Sequence, residues 1–515
     1  MYDYIIIGSG FGGAVTACRL AEKGAKVVVL ERGRRWELSN YPITDSFLYD
    51  AEHPEKFNGW LDFRFFGKMS VAQGAGIGGG SLIYANISCE ARKDVFDNGW
   101  PPEITYNELK PYYDRVAKFM QVQRVPENQV PARFKLMKEA AEKTGNGARF
   151  LPLELCVMFD PEWNYDYFDP LGRDASHSKK FLNDHGVEQG TCVHCGNCDI
   201  GCRFGAKSTL DMNYIPVAEK HGADFRPLHV VRVIEPSNGH YKVHFDRIDG
   251  HTLKPGSEEA KNVIVAAGSI GSTELLLRNR DQHKTLRNLS AFLGKNWSSN
   301  GDFLTPAEYK TYRPYPHRGP TITSAIDFGD GGGNGNSKGQ KFWIEDGGYP
   351  NLIANFLRGV DLKIAREIAN LMESSLDDNV MPWFAQGVDA GNARLYLGRN
   401  WWWPFKKHLK MDWDLPSNRA VFDAIYAMHK ELSAATDGKP LPMPQWNELG
   451  MLVTPHPLGG CNMGTTPQNG VVDHRGEAFG HKGLYVADAA IIPRPIGRNP
   501  TRTIAALAER IVERM

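Results

Sequence analysis

Residues 3–31 form the stretch DYIIIGSGFGGAVTACRLAEKGAKVVVLE, in which two apolar runs flank a glycine-rich turn and a helical pattern. The uninterrupted apolar run at residues 3–7 is typical of a strand that is buried on both faces of a parallel sheet. Residues 14–23 carry apolar side chains at helical spacing, Gly24 ends that pattern, and residues 25–30 form a second apolar run of strand length. The stretch therefore predicts one β–α–β unit.

The turn after the first predicted strand contains Gly8, Gly10 and Gly13, which match the pattern G-x-G-x-x-G. This pattern uses the first glycine for a tight turn, the second for close approach of the backbone to a pyrophosphate, and the third for close helix packing. The helix N-terminus then faces the phosphates. Glu31, after the second run, can accept hydrogen bonds from ribose hydroxyls, which favours a ribose without a phosphate. The unit predicts a dinucleotide site, for NAD or for FAD, because both contain adenosine diphosphate.

Length and charge limit the classes to which this chain of 515 residues can belong. The length predicts two or more domains. The 60 basic and 60 acidic residues cancel, so no global field attracts nucleic acid, and no nucleic-acid partner is expected. No run approaches the ~20 apolar residues that span a bilayer, and no signal peptide precedes the first strand. We therefore expect a mature globular protein without a transmembrane segment.

Further segments carry motifs of their own: SVAQGAGIGGGSLIYAN at residues 70–86, VIVAAGSIGS at residues 263–272, and HPLGGC, LYVADAAIIP and GRNPTRTIAALAER near the C-terminus. Together with the N-terminal unit, these segments resemble the glucose-methanol-choline (GMC) oxidoreductases, with the nearest similarity to the bacterial cholesterol oxidase-like branch. The resemblance extends from one end of the chain to the other.

The resemblance implies an α/β fold, in which a Rossmann-like FAD-binding domain is assembled from discontinuous segments and an α+β substrate domain is inserted between them. It also implies a tightly held FAD. The flavin motifs assign residues 1–100, 190–300 and 450–515 to the FAD-binding domain. Residues 101–189 and 301–449 carry no such motif and are expected to form the substrate-binding domain.

The same resemblance predicts cofactor-binding residues beyond the first unit. In the glycine-rich loop, positions without Cβ suit a backbone pressed against an isoalloxazine or a pyrophosphate, and a plain flexible loop is the alternative. We expect Asn86 at the polar edge of the flavin, Val231 or its neighbour Val230 at the adenine, and Asp488 at the ribityl chain. The predicted cofactor-binding residues of these later segments are Gly76, Gly79, Gly80, Ser81, Asn86, Val231, Ala267, Asp488, Asn499, Pro500 and Thr501.

Oxidation of an alcohol by hydride transfer needs a group that handles the hydroxyl proton and a group that positions the oxygen. His456 and Asn499 match the pair that serves the resembled family, so we assign proton handling to His456 and positioning to Asn499. Some relatives add a carboxylate base from the substrate domain. Glu345, which follows an aromatic and apolar run, is the candidate, with an ordinary hairpin acid as the alternative.

Three arginines, Arg494, Arg498 and Arg502, recur every four residues around Asn499, where steroid-oxidising relatives carry small or apolar residues. A guanidinium that faced the cavity would clamp a substrate carboxylate or phosphate and argue against a purely apolar sterol. Ion pairing with surface acids is the alternative.

Four of the eight cysteines, Cys192, Cys195, Cys198 and Cys202, are clustered with the spacing of a bacterial ferredoxin segment, although Arg203 replaces the proline after the last of them. In glucose and gluconate dehydrogenase flavoproteins of the wider family, cysteines before a similar stretch hold an iron–sulfur cluster. Zinc bound by four thiolates, or packed thiols without metal, are the alternatives. The pattern is no disulfide framework, so we expect a reducing compartment and a cytoplasmic location.

The motifs together predict an FAD-dependent oxidoreductase that oxidises a primary or secondary alcohol to an aldehyde or ketone, with oxygen or another electron acceptor as its second partner. One alternative is an electron-transferring dehydrogenase that passes electrons through a cluster at Cys192–Cys202. Another is a non-redox lyase or decarboxylase, because a flavin fold proves binding and not oxidation.

Overall fold

The computed structural model describes residues 1–38, 47–164, 175–333, 337–350, 378–400, 403–442, 446 and 450–515. The strands of these parts, in chain order, are β1 (Tyr2–Ile7), β2 (Val27–Leu30), β3 (Leu48–Tyr49), β4 (Leu61–Phe66), β5 (Met69–Gly74), β6 (Phe150–Pro152), β7 (Lys180–Leu182), β8 (Glu188–Gly190), β9 (Asp224–Arg226), β10 (His229–Ser237), β11 (His240–Asp249), β12 (Thr252–Val265), β13 (Phe303–Tyr309), β14 (Ser324–Asp327), β15 (Phe342–Asp346), β16 (Val380–Gly387), β17 (Arg394–Asn400), β18 (Trp403–Asp412), β19 (Gly438–Pro440), β20 (Leu452–Thr454) and β21 (Leu484–Val486). The α-helices are α1 (Phe11–Glu22), α2 (Tyr106–Phe119), α3 (Ala132–Lys143), α4 (Tyr214–Lys220), α5 (Gly268–Leu277), α6 (Leu415–Ala435) and α7 (Thr501–Arg514).

A seven-stranded sheet joins the beginning, middle and end of the chain, with strand order β10-β11-β12-β1-β2-β9 and β21 added beside β12. The pairs β12–β1, β1–β2, β2–β9 and β12–β21 are parallel, whereas β10, β11 and β12 form an antiparallel meander. The parallel strands β1 and β2 are almost wholly buried at their C-terminal ends, as their apolar runs predict. The predicted α/β class, with a Rossmann-like unit built from discontinuous segments, is confirmed.

Glycines allow helix α1 to start directly against the sheet. Gly8 has φ +97°, and a Cβ there would lie 2.5 Å from the carbonyl oxygen of Ala266. A Cβ on Gly13 would lie 2.0 Å from the carbonyl oxygen of Gly8, and one on Gly12 would lie 1.6 Å from that of Ala487. A Cβ atom cannot lie so close to a carbonyl oxygen. Gly13 therefore permits the close helix packing expected of it, and Gly12 must also be glycine for the helix to pack this closely.

Helices α1, α4 and α7 pack together on one side of this sheet around a buried carboxylate. Glu509 on α7 accepts hydrogen bonds from Arg19 on α1 at 2.8 Å and from the hydroxyl of Tyr214 on α4 at 2.9 Å. Charge-assisted bonds of this kind satisfy the carboxylate that the helices bury. They connect the first and last helices of the chain.

A second sheet of six strands has the order β19-β13-β16-β15-β14-β6 and is antiparallel throughout. Helices α3 and α6 pack against it. Its strands come from the two segments expected to form the substrate domain, and the boundaries drawn from the sequence stay a prediction. The other sheets are β20-β5-β4-β3, β17–β18 and β7–β8. None of the helices that the structure describes is long and apolar enough to cross a membrane.

Candidate active site

A cavity of about 2400 Å³ brings together most of the residues that the sequence singles out. Pockets for single small ligands usually measure about 300–1,000 Å³, so this one has room for a dinucleotide and a second molecule. Its wall includes strand ends of the seven-stranded sheet and Phe384 of the six-stranded sheet. The predicted site residues that line it are Gly8, Gly10, Glu31, Gly79, Gly80, Val231, Ala267, His456, Asp488, Asn499, Pro500 and Thr501.

Five predicted residues do not line this cavity. Gly13 lies inside the helix packing, and Gly76 (φ +146°) supports the glycine-rich loop against Arg34 and Trp36. Ser81 is buried and donates a hydrogen bond to the carbonyl of Gly78 at 2.8 Å. The remaining two are Glu345, described below, and Asn86, which lines a separate small cavity beside the cysteines.

The N-terminus of α1 is open toward the large cavity. Its N-cap residue, Gly10, provides no side-chain hydrogen bond, and the first turn contains no acidic residue. A Cβ on Gly10 would meet protein only at ordinary contact distance, 3.9 Å from Cα of Gly79. The protein itself therefore does not require glycine there, unlike at Gly8 and Gly13. A glycine and uncapped N–H groups at this position fit a backbone that must approach a phosphate.

Glu31 and Asp488 are fixed by protein donors at the two ends of this region. Glu31 accepts hydrogen bonds from the backbone and side chain of Ser9 at 3.0 and 2.8 Å, and from the N–H of Gly33 at 3.0 Å. Asp488 accepts from the N–H groups of Gly268 and Ala490, each at 2.8 Å, and from a serine hydroxyl. Burial raises the pKa of Asp488 to about 6. Each carboxylate keeps lone pairs for a ligand, and their ribose and ribityl contacts stay predictions.

His456 is held by a buried carboxylate that the sequence did not reveal. The Nδ1 atom of His456 lies 2.8 Å from Oδ1 of Asp302, which is 1 % exposed. The other oxygen of Asp302 accepts the hydroxyl of Thr454, which also accepts the backbone N–H of His456. Burial raises the pKa of Asp302, and its bonds to His456 and Thr454 lower it again in part. Since Nδ1 is bound to Asp302, Nε2 is the ring nitrogen left for the cavity that His456 lines.

Asn499 lines the large cavity, and Glu345, which does not line it, contacts the Asn499 amide from behind. Glu345 lies in β15 and is fully buried, so it is no surface hairpin acid. Its Oε2 accepts a hydrogen bond from Gln386 at 3.0 Å. Burial raises the pKa of Glu345 well above its usual value, although the amides of Gln386 and Asn499 lower it in part. Oε1 of Glu345 and Oδ1 of Asn499 have no hydrogen-bond partner in the described part of the chain. Both buried oxygens are thus available to a bound molecule or water.

None of the three arginines lines the large cavity. Arg498 pairs with Asp327 at 2.5 Å and stacks over the ring of Trp343. Arg502 pairs with Glu154 at 2.8 Å and with Glu90 at 3.2 Å. Arg494 is exposed. The ion-pairing alternative therefore describes Arg498 and Arg502, and none of the three guanidinium groups lies at the wall of the cavity where it would clamp a substrate.

The four clustered cysteines line a cavity of only about 20 Å³, together with Asn86 and Lys207. All four are free thiols, and burial raises the pKa of Cys195 to about 12. In the described ranges, no set of three or more His, Cys, Asp or Glu side chains is arranged to hold a metal ion. The structure therefore gives no support to a metal at the cysteines, and packing is the simplest interpretation of these buried thiols. The amide of Asn86 is buried there, and neither of its polar atoms has a partner among the described residues.

Asp199, inside the cysteine segment, is a second residue that sequence reasoning missed. It lines the large cavity with His456 and Thr321. Burial raises the pKa of Asp199 to about 7, while Lys207, Arg133, Thr321 and His456 lower it in part. The ferredoxin-like spacing drew attention to the cysteines on either side of it. No spacing pattern in the sequence connects Asp302 to His456 or Asp199 to the cavity.

Comparison with known proteins identifies the same kind of fold. Two family models described as GMC oxidoreductase match residues 182–297 and 411–508, and one described as NAD(P)-binding Rossmann-like domain matches residues 6–39. The chain is 30% identical to a cholesterol oxidase of Acinetobacter baumannii, with 99% of this chain and 93% of that protein covered. It is 24% identical to a 2-methyl-1,2-propanediol dehydrogenase of Mycolicibacterium austroafricanum, with 99% and 94% covered.

Solved structures show the same architecture at lower identity. A pyridoxine 4-oxidase from Mesorbium loti has a TM-score of 0.64 at 15% identity and covers 100% of this chain and 99% of its own. A formate oxidase of Aspergillus oryzae, carrying a mutation that affects FAD modification, has a TM-score of 0.67 at 14% identity, with 99% and 97% covered. At these identities the likeness concerns the fold alone.

Proposed function

The chain belongs to the GMC oxidoreductase family of FAD-dependent enzymes, and on this premise we propose that it oxidises a primary or secondary alcohol to an aldehyde or ketone. One observation carries the proposal: a single cavity is lined both by the open N-terminus of α1 and by His456, whose Nδ1 is bound to the buried Asp302. The names of the relatives, a cholesterol oxidase and a diol dehydrogenase, support an alcohol as the substrate class.

The residues present fit FAD. Gly10 and the N-terminus of α1 would hold the pyrophosphate, Glu31 the adenosine ribose, and Gly79 with Gly80 would lie along the flavin side of the cavity. Asp488, just after β21, would hold the ribityl chain that connects the pyrophosphate to the flavin ring. When bound, FAD supplies the acceptor for the hydride that leaves the alcohol carbon.

His456 supplies the proton chemistry of the proposed reaction. Its Nε2 faces the cavity as a hydrogen-bond acceptor when Nδ1 carries the proton that bonds Asp302. In this tautomer Nε2 takes the hydroxyl proton of the alcohol while hydride leaves the carbon. The imidazole becomes positively charged, and Asp302 stabilises that charge at 2.8 Å in a site screened from water.

Asn499 and Glu345 complete the proposed site. Asn499 lines the cavity just before the N-terminus of α7, so its amide can position the alcohol oxygen. Glu345 lies behind it, and burial raises the pKa of its carboxyl group well above the usual value, while the amides of Gln386 and Asn499 lower it in part. A protonated Glu345 would orient Asn499 by hydrogen bonding. A direct role of Glu345 as base stays a prediction.

Anaerobic mixing with a panel of alcohols tests the proposal, because loss of the flavin's visible absorbance reports oxidation directly. We expect at least one primary or secondary alcohol to bleach the flavin. His456→Ala should lower the rate of that reduction by roughly 10²-fold while FAD stays bound, the usual scale of a lost general base. A protein that converts a substrate without any change in flavin absorbance would instead support the lyase alternative.

The electron acceptor and the cysteine cluster need separate measurements. Oxygen consumption, compared with turnover by a one-electron acceptor, distinguishes an oxidase from a dehydrogenase. If anaerobically prepared protein contained iron and acid-labile sulfide, this would support the iron–sulfur alternative. Since the cysteines form no metal-binding group within the described ranges, we expect neither.

A further inference from the structure

We propose that Asp199 and Thr321 form a second polar subsite in the large cavity, which binds a hydroxyl group of the substrate away from the carbon that is oxidised. The inference rests on the proposed alcohol oxidation and specifies its substrate class: neutral alcohols that carry a second hydroxyl group.

The two side chains belong to the wall of the large cavity, which also contains apolar residues. Both line the same cavity as His456. Thr321 is only 3 % exposed, and its hydroxyl makes no hydrogen bond of good geometry among the described residues, although it interacts with the carboxyl group of Asp199 and lowers the pKa of that group. Ligand pockets are typically apolar with a few such polar groups that fix orientation. The neighbouring wall residues are Ile200, Ile322, Gly347, Gly348, Tyr349 and Phe384.

Two buried cations fix the backbones that carry this pair. Lys207 donates from Nζ to the carbonyl of Cys198 at 2.7 Å, one residue before Asp199. Arg133 is fully buried and donates to the carbonyl oxygens of Pro320 at 2.8 Å and of Thr321 at 3.2 Å. Within the described structure, neither cation forms an ion pair with Asp199. The carboxylate is therefore held in place and kept free for a ligand, which is the preorganisation that binding favours.

A hydroxyl group matches both members of the pair. It donates to the carboxylate of Asp199 and accepts from the hydroxyl of Thr321, whereas a carbonyl only accepts and an ammonium only donates. A substrate carboxylate also only accepts and would leave Asp199 without a donor. The hydrogen-bonding groups of the subsite thus favour a neutral hydroxyl over the other common polar groups.

Kinetics with matched substrates test the inference. The substrates are primary alkanols and the α,ω-diols of the same chain lengths, from butanediol to decanediol. Wild-type protein should show a higher kcat/KM for at least one diol than for its matched alkanol. In Asp199→Asn and Thr321→Val the ratio of diol to alkanol kcat/KM should fall by about 10- to 100-fold, the scale of a lost hydrogen bond to a charged group. Flavin content per protein monitors folding of each variant.

Ile322→Val is the matched control, because it changes the shape of the same wall without removing a hydrogen bond, and it should leave the ratio within about twofold of wild type. Binding without turnover gives a second measurement. A ditertiary diol has no hydrogen on its carbinol carbons and cannot be oxidised, so its Kd can be measured from the perturbed flavin spectrum. That Kd should rise in Asp199→Asn, while the Kd of the matched tertiary mono-alcohol should change less.

The outcomes separate the two proposals. If no alcohol reduces the flavin, the proposed function fails. If alkanols reduce it but no diol is preferred, or if Ile322→Val changes the ratio as much as Asp199→Asn does, the subsite inference fails while alcohol oxidation stands.

Discussion

Replacing Asp302 by Asn tests the contact on which the proposed proton chemistry depends. The substitution keeps the size of the side chain and an oxygen that can accept from Nδ1 of His456, but it removes the negative charge. With Nδ1 and Oδ1 at 2.8 Å, the charge centres are about 4 Å apart, where opposite unit charges interact by roughly 4 kcal/mol at an effective dielectric constant near 20. If Asp302 stabilises the positively charged imidazole of the transition state by about 3 kcal/mol, its replacement by Asn should slow flavin reduction by about 10²-fold.

Stopped-flow flavin reduction under anaerobic conditions measures this effect, and a double-mutant cycle shows whether it acts through His456. In a His456→Ala background, Asp302→Asn should cause little further loss, because the imidazole that it stabilises is absent. Equal losses in both backgrounds would refute the reasoning, since Asp302 would then act on the fold rather than on the imidazole.

Asp389→Asn is a matched control for the loss of a buried carboxylate. Asp389 accepts hydrogen bonds from the hydroxyls of Ser298 and Ser299 at 2.7 and 2.8 Å but does not line the large cavity. We expect the variant to lose stability and to keep a flavin reduction rate within a few-fold of wild type in its folded fraction. A loss as large as that of Asp302→Asn would show that the assay reports general damage.

Three further predictions concern the cofactor and the fold. Gly10→Val should abolish FAD binding, because a branched side chain would fill the space at the N-terminus of α1; retained stoichiometric flavin would contradict it. Folding raises the pKa of Asp488 from 3.8 to about 6, so the folded state binds that proton more tightly than the unfolded state. The free energy of unfolding should therefore fall as the pH rises from about 4 to about 6. Urea unfolding of Asp488→Asn should show a smaller fall over the same pH range. Glu509→Ala should lower the free energy of unfolding by about 3 kcal/mol, because Arg19 and Tyr214 lose their buried partner; a change below about 0.5 kcal/mol in urea unfolding would contradict it.

Local sequence patterns were sufficient for the fold and for one end of the site. The apolar runs and the glycine spacing of the first 31 residues predict β1, α1 and β2, because the geometry of a β–α–β unit is set by residues close together in the chain. The same reasoning also fits the apolar residues 263–265 at the end of β12. It did not predict that β10, β11 and β12 form an antiparallel meander beside the parallel strands, because alternating polar strands of this kind carry no signal for their sheet order.

The catalytic end of the site was only partly predictable, for a physical reason. His456 stood out because its segment matches the resembled family, but Asp302, which holds it, lies 154 positions earlier in the chain, directly before β13. A carboxylate that pairs with a histidine across two segments leaves no spacing pattern in the sequence. The arginines show that spacing alone does not decide between two roles: a contact at the cavity and ion pairing were both open, and Arg498 and Arg502 pair with Asp327 and Glu154 outside the cavity.

Buried cations in this protein hold backbone carbonyls as well as carboxylates, and no pattern in the sequence indicates which contact each cation makes. Arg133 donates to five carbonyl oxygens, and Lys207 donates to those of Leu82 and Cys198. Because these two cations are bound to carbonyl oxygens, neither is available to a substrate. The carboxyl group of Asp199 lines the cavity, and that of Asp302 holds His456 from behind its wall. This arrangement supports the proposed neutral alcohol as the substrate, and it follows from which atoms the two cations contact rather than from the balance of charge in the sequence.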